Sequence, residues 1–118
     1  MKMNYFVVGT NDMSASMGFY GPLLDGAGLN QFSPADRMTY WLSEDFAFAV
    51  ALPFDQQPAS VGNGTMVGFN VGSAEEVRRV HARAIKLGGT CEGRPGQRGP
   101  RYSAYVRDLD GNKLCFSD

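Results

Sequence analysis

The stretch RYSAYVRDLDGNKLCFSD, Arg101 to Asp118, decides the fold. Tyr102, Ala104 and Val106 alternate with Ser103, Tyr105 and Arg107, the period of two that gives a strand two different faces. Asp108 to Asn112 then reads as a turn, because Asp110-Gly111 tolerates the positive φ that a tight reversal demands. Lys113 to Ser117 resumes with apolar Leu114 and Phe116, so the pattern predicts a hairpin.

Upstream of the hairpin, Gly93 to Pro100 (GRPGQRGP) reads as a glycine- and proline-rich loop carrying Arg94 and Arg98, and Thr90 to Glu92 as a short strand. Ala74 to Leu87 has Val77, Val80, Ala84 and Leu87 on one helical face, with Ser73 as cap and Gly88-Gly89 as stop. Met66 to Val71 is a strand. Pro53 to Thr65 (PFDQQPASVGNGT) has two prolines and two glycines with little periodic burial, which predicts one long connector dividing the chain in half.

The first half opens in the same way. Asn4 to Gly9 is β-branched and aromatic, and Thr10, Asn11 and Asp12 follow as residues that cap helices. The helix predicted from Ser14 to about Leu24 contains Pro22, which is expected to kink it or to begin a second short piece, and Gly26 and Gly28 end it. Arg37 to Leu42 and Phe46 to Leu52 are two further strands around Ser43-Glu44-Asp45, the second almost wholly apolar and so predicted to be central.

Composition bounds the function. A chain of 118 residues is expected to form one domain with its own core, in two modules of about 1–52 and 66–118 around the 53–65 connector. With 19% charged residues and a formal net charge of -1, nothing predicts nucleic acid or an anionic membrane as partner. The opening MKMNYFVVG has too short an apolar run for a signal peptide, and no stretch approaches the length of a membrane span, so a cytoplasmic location is expected. Cys91 and Cys115, without CxxC spacing, read as buried reduced thiols.

The halves also match in detail, Val8-Gly9-Thr10 against Val71-Gly72-Ser73, which points to an internal duplication. A βαβββ unit offers one sheet face to its helix and leaves the other unfilled. The expected fold is therefore α+β, with two βαβββ-like modules forming a cupped mixed sheet, helices outside and a cleft within.

The chain resembles the vicinal oxygen chelate superfamily, which includes glyoxalase I, extradiol dioxygenases, fosfomycin-resistance enzymes and bleomycin-binding proteins. The residues that carry the likeness are Thr10 to Asp12 before a helix with Phe19-Tyr20, the Val61 to Met66 segment, Leu87-Gly88-Gly89, and Tyr105 to Leu114, where Leu109 replaces a common proline. The resemblance implies metal ligands on the sheet strands at positions corresponding here to Tyr5, Met66, Cys115 and, at or beside it, Phe48. A phenol, a thioether, a thiol and a phenyl ring do not make a divalent-metal site, so no metal and no cofactor is expected.

Two routes follow. One is a metal-independent enzyme with Tyr5, Tyr105 or Cys115 as acid, base or nucleophile. The other is a non-catalytic protein that encloses a small organic molecule, as bleomycin-binding members of the superfamily do. A metal-dependent lyase or dioxygenase returns if the ligand mapping is wrong. Expected pocket-lining residues are Tyr5, Trp41, Phe48, Met66, Tyr105 and Cys115, with ordinary sheet packing as the alternative. Arg94, Arg98 and Arg101 are candidates for an anion clamp, against a solvated loop. His81, the one histidine, is expected to be a partly buried helix residue. The resemblance also implies a homodimer.

Overall fold

A computed structural model describes the whole chain, Met1–Asp118. It contains two compact units, Met1–Val61 and Gly62–Asp118. The first unit runs β1 (Tyr5–Gly9), α1 (Met13–Leu24), β2 (Asn30–Ala35), β3 (Met38–Leu42) and β4 (Ala47–Ala51). Its four-stranded sheet has the order β1-β4-β3-β2, with β1 and β4 parallel and the other pairs antiparallel.

Asp12 caps α1, its side chain accepting from the Ala15 N–H at 3.0 Å. The helix continues through Pro22 without a break to Leu24. Pro22 falls in the last turn, where its missing N–H removes a bond from a helix that is about to end. Gly26 and Gly28, at φ 79° and 77°, then carry the chain away in the left-handed region that glycine enters without steric cost.

Tyr20 on α1 packs against Phe48 and Trp41, with ring centroids 5.0 Å and 5.6 Å away. Val8, Phe19, Leu23 and Val50 join this core. β4 is buried along its whole length, as its continuous apolar run predicts for an interior strand. Sequence reading missed β2. Its residues NQFSPA are all exposed and include a proline, a composition that an edge strand with one partner tolerates.

The second unit repeats the plan: β5 (Val67–Asn70), α2 (Ala74–Lys86), β6 (Thr90–Arg98), β7 (Arg101–Arg107) and β8 (Lys113–Ser117). Its sheet has the order β5-β8-β7-β6, again with the first pair parallel. Ser73 caps α2 by accepting from the Glu76 N–H at 3.1 Å. Glu75 and Glu76 in the first turn, with Arg83 and Lys86 in the last, complement the helix dipole. Val77, Val80 and Ala84 are buried on the sheet side together with Ala104, Val106, Leu114 and Phe116.

The final hairpin is present as the sequence predicts. Asp108 accepts through Oδ1 from the N–H groups of Asp110 and Asn112, at 2.9 Å and 2.8 Å. Gly111 takes φ 95°. The stretch Gly93 to Pro100 departs from expectation, because up to Arg98 it continues β6 rather than forming a loop. Register shifts between Cys91 and Gly93 and between Gly93 and Gly96 accommodate Pro95, which has no N–H to donate to a ladder.

Candidate functional site

Side chains on neighbouring strands at one register level share a sheet face, so pairing identifies the side that each helix leaves open. In the first unit Tyr5 pairs with Ala47, and Val7 with Ala49, which also opposes Tyr40. These residues lie on the face opposite α1. Tyr5 and Tyr40 meet edge to face at 6.5 Å, and Ala47, Ala49 and Ala51 form a stripe of small buried residues.

Trp41 and Phe48 are on the other side. They oppose one another in the β3–β4 register, meet Tyr20 of α1 and are 2% and 1% exposed. The expectation that they line a pocket is thereby corrected: they build the core beneath α1. A strand apolar on both faces gives the sequence no signal for which face meets the helix.

In the second unit the face opposite α2 carries Ser103, Tyr105 and Arg107 from β7, Lys113, Cys115 and Ser117 from β8, and Gly68 from β5. Tyr105 is its centre. The Arg98 guanidinium lies 5.0 Å from the Tyr105 ring centroid and the Lys113 ammonium 5.2 Å from it. Arg98 is held there by donating to the carbonyls of Ser103 and Arg94, the latter at 2.7 Å. These acceptors are neutral, and neither Arg98 nor Lys113 has a carboxylate within ion-pair range. Arg107, on the same face, is committed to Glu92 at 2.5 Å.

Cys115 opposes Tyr105 in the register and shares a side-chain hydrogen bond with it. Burial pushes the thiol above its ordinary value, against the Tyr105 hydrogen bond and the positive charges of Arg98 and Lys113. The thiol therefore stays protonated near neutrality, which disfavours the nucleophilic role considered from sequence. The other residues named from sequence scatter. Met66 is 45% exposed just before β5, Arg101 donates to the Asp118 carbonyl, and the Arg94 side chain is exposed. Lys113 stood out from sequence only for its two-residue spacing from Cys115 on one strand face, and its approach to the Tyr105 ring is what the structure adds.

A separate cavity of about 650 Å³ lies in the first unit, lined by Thr10, Asn11, Arg37, Leu52 and Phe54 among others, with Arg37 5.4 Å from the Phe54 ring. None of the residues expected from sequence to line a pocket, to bind an anion or to act in catalysis lines it.

The donor set for a divalent ion does not fit. Phe48 has no donor atom and packs beneath α1, and no group of three or more His, Cys, Asp or Glu side chains gathers anywhere in the chain. No helix is long and apolar enough to cross a membrane.

Two βαβββ units with identical strand order place the chain among α+β proteins of the glyoxalase type. It belongs to the Glyoxalase/Bleomycin resistance protein/Dioxygenase superfamily, whose sequence profile matches residues 2–116. A glyoxalase/bleomycin resistance protein from Albidiferax ferrireducens T118 is similar at 38% identity and TM-score 0.91, over 98% of this chain and 96% of that one. A glyoxalase-related enzyme from Fulvimarina pelagi shares the fold at 22% identity and TM-score 0.80, over 99% and 87% of the two chains. Lactoylglutathione lyase from Agrobacterium tumefaciens does so at 18% identity and TM-score 0.72, over 98% and 91%. No curated protein sequence matches the chain.

Proposed function

We propose that this protein binds a small organic anion, an aromatic or unsaturated carboxylate, on the open face of its second sheet, with the superfamily's usual metal ligands replaced. The observation that carries this reading is the Tyr105 ring flanked by two cations, Arg98 and Lys113, neither of which has a carboxylate within ion-pair range, Glu92 acting on Lys113 only from beyond it. A flat ligand stacks on or against the phenol, and its carboxylate takes the guanidinium fork or the ammonium. Gly68, where an added Cβ would meet nothing within 4 Å, leaves room beside Cys115. The protonated Cys115 thiol then serves as a lining group with a weak donor rather than as a nucleophile.

The test is calorimetric titration of the full chain with benzoate and with benzamide, which share a ring and differ in charge. Benzoate is expected to bind more tightly. Arg98→Ala is expected to weaken it about tenfold or more, because hydrogen bonds to charged groups contribute about 1.5–3 kcal/mol and 1.4 kcal/mol is a factor of ten. Equal affinity for the two probes, or no effect of Arg98→Ala, rejects the reading. Ligand recovered unchanged supports a binding protein, whereas conversion at this face gives Tyr105 the role of acid. Stoichiometric metal retained after purification would overturn the replacement of the ligands. In the cell we infer a cytoplasmic homodimer: Tyr5 and Phe32 are more than half exposed and offer apolar surface for a second copy, which light scattering tests.

A further inference from the structure

Cys91 and His81 stand apart from the Tyr105 face, on the side of the second sheet that α2 covers. Cys91 opposes Val106 in the β6–β7 register, and Val106 is buried towards α2. His81 Nε2 lies 3.3 Å from Cys91 Sγ. β6 is the edge strand, and Cys91 is exposed rather than buried as its sequence suggested. The register shift after Cys91 marks a bulge, a device that re-aims side chains at a sheet edge.

The charge beside Cys91 is balanced within the sheet. Glu92, next in sequence, is the one carboxylate adjoining Cys91 along β6, and Arg107 of β7 neutralises it at 2.5 Å. Burial holds His81 below its ordinary value, so the imidazole is neutral near pH 7 and can accept a proton. In the tautomer protonated at Nδ1, Nε2 offers its lone pair to the thiol. Cys115 has no such base: its side-chain partner is the Tyr105 phenol, and burial pushes its thiol up.

We propose that Cys91 and His81 form a solvent-facing thiol–imidazole dyad that adds to soft carbon electrophiles of the α,β-unsaturated carbonyl class. The Cys91 proton passes to His81 Nε2, the sulfur pair forms a C–S bond at the β-carbon, and the alkene π pair moves toward the carbonyl as an enolate. The imidazolium, or water in exchange with it, returns the proton to the α-carbon. The thiol thus adds across the double bond with no leaving group and no oxidant. An adjacent base is the usual means of activating such a nucleophile, and the thiolate fraction sets the rate.

Acrylamide is the probe, applied to the reduced full chain at neutral pH, with adducts assigned by peptide mass spectrometry. Cys91 is expected to react about tenfold faster than Cys115, and several-fold faster than Cys91 in the guanidinium-unfolded chain, where the dyad is absent. His81→Phe, with its fold checked by circular dichroism, is expected to bring the Cys91 rate down to about that of the unfolded chain. Preferential reaction at Cys115, a native Cys91 rate no higher than the unfolded one, or an unchanged rate in folded His81→Phe overturns the proposal. If His81→Phe does not fold, the native-to-unfolded comparison in the unmutated chain decides it.

Discussion

The Arg98 guanidinium lies 5.0 Å from the centre of the Tyr105 ring, and Gly93 is what lets the two meet. Gly93 opposes Tyr105 in the β6–β7 register, and a Cβ there would lie 2.7 Å from Tyr105 Cδ2 and 3.2 Å from Arg98 Nη2. Gly93→Ala must therefore push the ring aside or bend β6. Overpacking of this kind costs about 1–3 kcal/mol, to be read by chemical denaturation, and the variant should also lose benzoate affinity. Unchanged stability together with unchanged affinity would remove Gly93 from the site.

The same region shows where sequence reading succeeds and where it stops. The final hairpin was legible because alternation and an Asp-Gly turn are local signals. β6 was not, because GRPGQR has the composition of a loop, and its glycine answers to a ring on the next strand. Trp41 and Phe48 were found as aromatic strand residues, but β4 is apolar on both faces and only the contact with Tyr20 assigns their side. Cys91 looked like a buried thiol for a related reason, since nothing local says that its strand is an edge. Tyr105, Arg98 and Cys115 were each named from sequence, whereas their convergence with Lys113 needed the register.

Asp108 is the residue on which the hairpin turn depends. It is 5% exposed, and besides the two backbone bonds to Oδ1 its Oδ2 accepts from Asn112 Nδ2 at 2.9 Å. Asp108→Ala leaves these donors without their acceptor in a place that water reaches poorly. The expected loss is about 2–4 kcal/mol in the denaturation midpoint analysis, with Asp108→Asn losing less because one oxygen remains. A loss below about 1 kcal/mol for the alanine variant would mean that the Asp108 backbone and Gly111 suffice to hold the turn.

Asn11 ties the connector to the first unit. Its side chain donates to the Ala59 carbonyl at 3.2 Å and accepts from the Ala59 N–H at 2.7 Å, imitating a strand partner. Gly9 permits the approach, since a Cβ there would come within 2.9 Å of Ala59 Cβ. Asn11→Ala is expected to cost about 1 kcal/mol. Its signature is local: hydrogen exchange at the Ala59 amide should accelerate while the β1–β4 amides stay protected. Uniform acceleration would instead indicate that the whole unit had been destabilised.

His81 is the single histidine, so its ring protons can be followed by NMR without assignment ambiguity. Burial beside Cys91 lowers its pKa, and the titration midpoint is expected below the ordinary 6.5. The sign for stability follows from proton counting. As pH falls, the unfolded chain takes up the proton first, so it binds more protons than the folded chain and stability declines. The full contribution is present above about 6.5 and is lost as pH falls through the folded-state midpoint, below which both states are protonated and the decline levels off. His81→Phe lacks this dependence. The stability of the unmutated chain should therefore fall relative to the variant over that window, and a midpoint at or above 6.5 with parallel pH curves would show that the imidazole is solvated rather than held against the thiol.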